Sequence, residues 1–207
     1  MADLQRSWTR GWRGIGGRDD GAGVRDALLA AYGEPQRHYH TLQHLHECID
    51  RLETCIDLAT RPAEVETALW FHDAVYDVLR RDNERRSADW ARQAVLENGV
   101  PADVADRIDA LVMATRHATT RAAGDQQLLV DIDLAILGAE PERFAEYERQ
   151  IRNEYAHVAE PEFKARRRAI LAGFLARDRI YATPRLRAEL EQRARANLSL
   201  AIAGDVA

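Results

Sequence analysis

Apolar residues recur at helical spacing along most of the chain. Leu42, Leu45, Ile49, Leu52 and Ile56 return every three or four positions, one buried stripe of a helix expected over 39–60. Pro62 opens a second helix, expected over 63–78, with Val65, Leu69, Phe71 and Val75 on its apolar positions. The same reading predicts helices from near Val24 and over 87–98, 102–115, 126–137, 142–158, 162–177 and 185–203. Asn98-Gly99-Val100-Pro101, Gly138-Ala139-Glu140-Pro141 and Thr183-Pro184 punctuate them. No two-residue hairpin turn lies between alternating apolar runs. The predicted fold class is therefore all-α, a single domain over 1–207 in which 1–23 form an N-terminal segment and a Gly-rich loop. That loop, GIGGRDDGAG, lacks the preceding alternating strand that a phosphate-cradling glycine fingerprint needs.

A hydrophobic share of 46% beside 30% charged residues fits a folded globular chain and excludes extended disorder. The formal charge of -5 argues against a general nucleic-acid or anionic-membrane surface, so any phosphate site must be local. Neither a secretory apolar run nor a membrane-length one is present, and a cytoplasmic location is expected. Cys48 and Cys55 lie seven apart on one expected helix, roughly 10 Å, too far for a disulfide; they read as buried thiols.

The candidate chemistry begins with His38, His40, His44 and His46, crowded ahead of and into the 39–60 helix. His38 and His46 read as solvated. His40 and His44, four apart, share a helical face. A stronger signal is His72-Asp73, placed mid-helix inside the apolar run ALWFHDAVYD, where an unpartnered carboxylate is costly to desolvate. A divalent ion satisfies both side chains at once. If the two helices pack antiparallel, His44 and His72 differ by only about 7 Å along the axis, close enough to share that ion. A further ligand would come from LLVDIDLAILG, which offers Asp131 and Asp133; facing different ways, only one of them is expected to reach the ion.

His44, then His72-Asp73, then Asp133 after a long helical gap resembles the H…HD…D signature of the HD superfamily of metal-dependent phosphohydrolases. The linked pieces RHYHTLQHLHECI, ALWFHDAVYD, DNERRSA, ATRHA, LLVDIDLAILG, IRNEYAHV and RIYAT…ARANL resemble an uncharacterised bacterial group within it, over about 32–198. The resemblance implies an HD-type helical bundle and assigns the metal ligands to His44, His72, Asp73 and Asp133, with Asp131 as the alternative to the last. It implies hydrolysis of a phosphoester or phosphoanhydride of a small molecule, a nucleotide by expectation, by metal-activated water. The ion could be Mn, Fe, Co, Ni, Zn or Mg. A non-catalytic module that senses a nucleotide or metal is the competing expectation.

Asp77, four residues beyond Asp73 on the same expected helical face, is the first candidate for moving a proton, with Glu84 able to share the role. His117 could donate a proton, bind phosphate or ligate a second ion. Dinuclear members of the superfamily resemble one another in carrying two or more extra histidines before the last aspartate; this chain has only His117 there, so one ion is expected. Arg37, His40, Arg116 and Arg152 are candidate phosphate partners, Arg being the better fork for that charge. Tyr39, Trp70 and Tyr76 are expected to pack in the core rather than line a pocket.

Overall fold

The computed structural model describes residues 3–116 and 123–204. Among the described residues it holds ten α-helices and no strand, as the apolar pattern predicts. None of these helices is long and apolar enough to cross a membrane. The chain divides into two compact units, Met1–Val130 and Asp131–Ala207.

The first unit contains α1 (Leu4–Gly14), α2 (Ala22–Tyr32), α3 (Leu42–Cys55), α4 (Pro62–Phe71), α5 (Asn83–Glu97) and α6 (Ala102–Ala114). Its centre is α4, in which every residue from Glu64 to Phe71 is buried. A helix with no polar face is covered on all sides, and α1, α3, α5 and α6 all pack on it. Two of its buried side chains are acids, and each has its own arginine. Arg107 on α6 donates Nε and Nη2 to the two Glu64 oxygens, both at 2.8 Å. Arg10 on α1 forks onto Glu66 through Nε at 2.8 Å and Nη2 at 2.6 Å, while the Ser7 hydroxyl donates to Glu66 at 2.6 Å and accepts from Trp70 Nε1 at 3.0 Å. Such charge-assisted pairing is what lets carboxylates enter a core.

The N-terminal segment ahead of the Gly-rich loop holds the helix α1. Asp3 caps it by accepting from Arg6 N, and Trp8 and Trp12, four apart, bury one face with their rings stacked at 4.8 Å. The Gly-rich loop that follows is wrapped around these indoles. Trp12 Nε1 donates to Arg18 O at 3.0 Å and Trp8 Nε1 to Asp20 O at 2.8 Å. Gly21 has φ +61°, and a Cβ there would lie 2.5 Å from the Trp12 ring. Gly21→Ala should therefore destabilise the chain by about 1–3 kcal/mol, through left-handed strain and overpacking together. Denaturant unfolding read by far-UV circular dichroism measures it.

The helix α7 (Asp125–Asp133) leads from the first unit into the second, which holds a 3-10 turn at Leu134–Gly138 and the helices α8 (Pro141–Glu154), α9 (Glu160–Leu175) and α10 (Pro184–Ala203). The helix expected over 126–137 changes to the 3-10 turn at Leu134 because side chains capture its carbonyls. Tyr181 donates its hydroxyl to Leu134 O at 3.0 Å, and Asn197 Nδ2 donates to Leu137 O at 3.0 Å and Ala139 O at 2.9 Å. Between α8 and α9 the buried Glu148 pairs with Arg167, whose guanidinium lies 5.0 Å over the Tyr147 ring.

Candidate metal centre

The helix expected to run through 78 stops at Phe71, so His72 and Asp73 sit at its C-terminal exit and not in mid-helix. Side chains take the backbone groups that a continuing helix would use. Arg37, 5% exposed, donates Nη1 to Asp73 O at 2.6 Å and to His40 O at 3.3 Å, Nη2 to Ala74 O at 2.9 Å, and Nε to Glu34 at 2.9 Å. The Ser87 hydroxyl accepts from Val75 N at 3.0 Å, and Asn83 exchanges two hydrogen bonds with the backbone of Asp77. The carbonyls of Asp73 and Ala74, just past the helix end, find their partner in this one guanidinium, which ties the RHYH segment to the HD turn.

At that exit the imidazoles of His44, on α3, and His72 meet. Their Nε2 atoms are 3.0 Å apart, and Asp73 Oδ2 lies 3.4 Å from the first and 3.1 Å from the second. His72 Nδ1 is 2.7 Å from Leu69 O, a carbonyl that can only accept, so Nδ1 carries a proton, and whenever the ring is neutral its Nε2 lone pair faces the other two groups. Lone pairs on nitrogen and carboxylate oxygen this close repel unless a proton or a metal ion sits among them. Bonds of about 2.1 Å at angles between octahedral and tetrahedral place neighbouring donors about 3.0–3.4 Å apart, which is this triangle. Both imidazoles are buried, and the Leu69 carbonyl behind His72 is the support that ligating histidines ordinarily have. Burial pushes the Asp73 carboxyl up, yet the charges of His72 and His40 and the hydrogen bonds of His44 and His72 outweigh this and hold it well below the usual carboxylate range. Protons on the imidazoles and a metal ion are thus rivals for one position. Tyr32, whose hydroxyl accepts from Asp73 N at 3.3 Å, is pushed up to about 12 chiefly by burial and stays protonated.

Cys48 was expected only to pack, and it shares this pocket. His44, Cys48 and His72 form a buried group able to hold a metal ion, each offering one atom within 4.8 Å of the others. The spacing of His44 and Cys48, four apart on one helix, was the signal available in the sequence. The thiol is 3.8 Å from His44 Nδ1 and 3.7 Å from Nε2, however, so it lies beside the ring and not along the Nε2 lone pair. Asp73 Oδ2 is closer than the thiol to His44 Nε2 and lies close to both Nε2 atoms.

The remaining expected residues fall in different places. Asp77 is not on a helical face with Asp73, because the helix has ended; its Oδ1 accepts from Leu79 N at 2.9 Å in a tight turn. Glu84 lies in the first turn of α5, which starts four residues earlier than expected. His40 precedes α3, does not share a helical face with His44, and stacks on Tyr76 with centroids 3.9 Å apart. Arg37 spends its fork on the backbone and Glu34 and is a clamp rather than a phosphate partner. Arg152 likewise caps the end of α8, donating to Tyr155 O at 2.7 Å and Val158 O at 3.0 Å. Arg116 is exposed beyond the end of α6, and His117 lies outside the described residues. Trp70 and Tyr39 are buried as expected.

The two aspartates of LLVDID separate cleanly. Asp131 is buried and its two oxygens accept from Ala182 N at 3.1 Å and Thr183 N at 2.5 Å, fixing the start of α10. Burial raises its carboxyl although those N–H groups favour the charge. Asp133, at the end of α7, is half-buried. Asp131→Asn should cost about 1–3 kcal/mol in denaturant unfolding, because its amide can satisfy only one of two buried N–H donors, while leaving metal content unchanged.

No protein-family model, curated protein or solved structure matches the chain.

Proposed function

We propose that this protein is a metal-dependent phosphohydrolase of the HD superfamily, acting on a phosphoester or phosphoanhydride of a small molecule, with nucleotides the first substrates to try. The observation that carries the reading is the convergence of His44 Nε2, His72 Nε2 and Asp73 Oδ2 on one point, with the His72 tautomer fixed by Leu69 O. Asp133 is the fourth ligand in this reading, assigned by the order of the motifs in the sequence. When bound, a divalent ion supplies a more acidic water and offsets charge on the phosphoryl oxygens. The chain's own residues do the rest. His44 and His72 present neutral nitrogens, Asp73 presents a charge, and Arg37 holds the turn that carries them. Proton movement falls to Asp77 or Glu84, and the phosphate charge to Arg116 and His117.

The test is phosphate release from a panel of nucleotides and simple phosphoesters, with Mn, Co, Ni, Zn and Mg added in turn. Metal-dependent turnover supports the hydrolase. In that case Asp77→Asn or Glu84→Gln should lower kcat about 100-fold or more with metal content intact, as expected for a general acid or base. A protein that binds metal and a nucleotide yet turns over nothing is a sensor, and the hydrolase reading is then wrong.

A further inference from the structure

A second feature, independent of the metal centre, lies in the connection between α9 and α10. The segment after Leu175 carries Arg177, Asp178 and Arg179, and the first turns of α10 bring Arg187, Glu191 and Arg195 to the same open cleft, of about 630 Å³. Four arginines thus face two acids, inside a chain whose formal charge is -5.

The pairing within the cleft is uneven. Glu191 is committed: it accepts from Ile180 N at 3.0 Å, Tyr181 N at 3.2 Å and Arg195 Nε at 2.8 Å. Arg195 is committed too, donating to the carbonyls of Leu175 at 3.1 Å and Arg177 at 2.8 Å, which closes the end of α9. Arg177, Arg179 and Arg187 have no carboxylate partner among the described residues, in contrast to Arg10, Arg85, Arg107 and Arg167. Arg177 is half-buried against the Phe174 ring, 4.4 Å from its centroid, and burial alone acts on it, pulling its pKa down. Arg177 gives up water without gaining an anion, Arg187 is half-buried and Arg179 exposed, and three guanidinium groups without a carboxylate around one cleft make a site for a multiply charged oxyanion.

We propose that the α9–α10 cleft binds a phosphate-bearing anion, a diphosphate or the phosphate chain of a nucleotide, through Arg177, Arg179 and Arg187. The planar forks of the three side chains suit phosphate oxygens on several sides, and Arg195, held by backbone carbonyls, forms a fixed positive wall behind them.

Calorimetric titration of the full chain with inorganic pyrophosphate at low salt tests this, beside Arg177→Gln, Arg187→Gln and the pair together, with His72→Ala as the control. The proposal expects each single change to weaken binding at the cleft about tenfold, the size of one charge-assisted hydrogen bond, and expects cleft binding to persist in His72→Ala, which removes any binding at the metal centre, and to be abolished when the arginine pair is added to His72→Ala. Circular dichroism establishes that the variants are folded. If wild type fails to bind pyrophosphate, or the arginine variants bind it equally well, the cleft is not an anion site. Binding that vanishes only in His72→Ala places the anion at the metal centre and overturns the proposal, while leaving the hydrolase reading standing. Adenosine diphosphate in place of pyrophosphate then separates the two sources: tighter binding shows that a nucleoside is held as well, and equal or weaker binding shows that the phosphates alone are.

Discussion

Replacing His72 by alanine is expected to leave the purified protein without its divalent ion, where the wild type retains about one per chain. The expectation rests on geometry. His72 commits its Nδ1 proton to Leu69 O and so leaves its Nε2 lone pair facing His44 and Asp73. With that nitrogen gone, two donors remain from the triangle, and affinity should fall by well over the 10–100-fold seen when only an outer partner of a ligand is lost. Asp73→Ala should behave alike, whereas Cys48→Ser should keep the metal, since the thiol lies beside the His44 ring. Elemental analysis after exhaustive dialysis distinguishes these outcomes, and equal metal in all four proteins would remove the centre described above. Acidification should mimic His72→Ala. The imidazoles must be neutral to bind, so metal should be released as pH falls through about 6, the ordinary histidine range.

The largest effect on stability is expected at Arg10. Glu66 is fully buried, and among the described residues Arg10 is its cationic partner, with Ser7 as a neutral donor. Arg10→Ala leaves a carboxylate in the core of the first unit, at a cost of about 2–4 kcal/mol; the fully buried case runs ~3–5, and Arg10 is about a third exposed. Arg10→Ala combined with Glu66→Gln removes the stranded charge and should recover much of that loss, since Gln still accepts from Ser7. Urea unfolding of the two single variants and the double variant closes the cycle. Additive losses would mean that the pair contributes no coupling, against the geometry.

Helical periodicity made most of the fold legible, because amphipathic stripes carry their own register. The misses have local causes. The helix α1 escaped notice because Trp8 and Trp12 stood among charged and glycine residues, although the Asp3 cap and their spacing of four were present. The exit of α4 was missed because nothing in ALWFHDAVYD stops a helix; the stop comes from Arg37, Asn83 and Ser87, residues distant in sequence that collect the backbone groups. For the same reason the coupling of His44 with His72-Asp73 could be anticipated, but the roles of the surrounding residues could not. Arg37, Arg152, Tyr181 and Asn197, all within recognisable motifs, hold carbonyls at helix ends, so part of what looked like chemistry in the sequence is the framing of turns. That Asp131 holds the backbone of 182–183 is likewise something no periodicity predicts.

The indole cluster around Glu66 has an optical consequence. All four tryptophans, Trp8, Trp12, Trp70 and Trp90, belong to Met1–Val130, and Asp131–Ala207 has none. Intrinsic tryptophan emission therefore follows the first unit alone, while ellipticity at helical wavelengths follows both. Superimposable melts by the two signals would identify one cooperative transition, and an ellipticity change without an emission change would belong to the second unit.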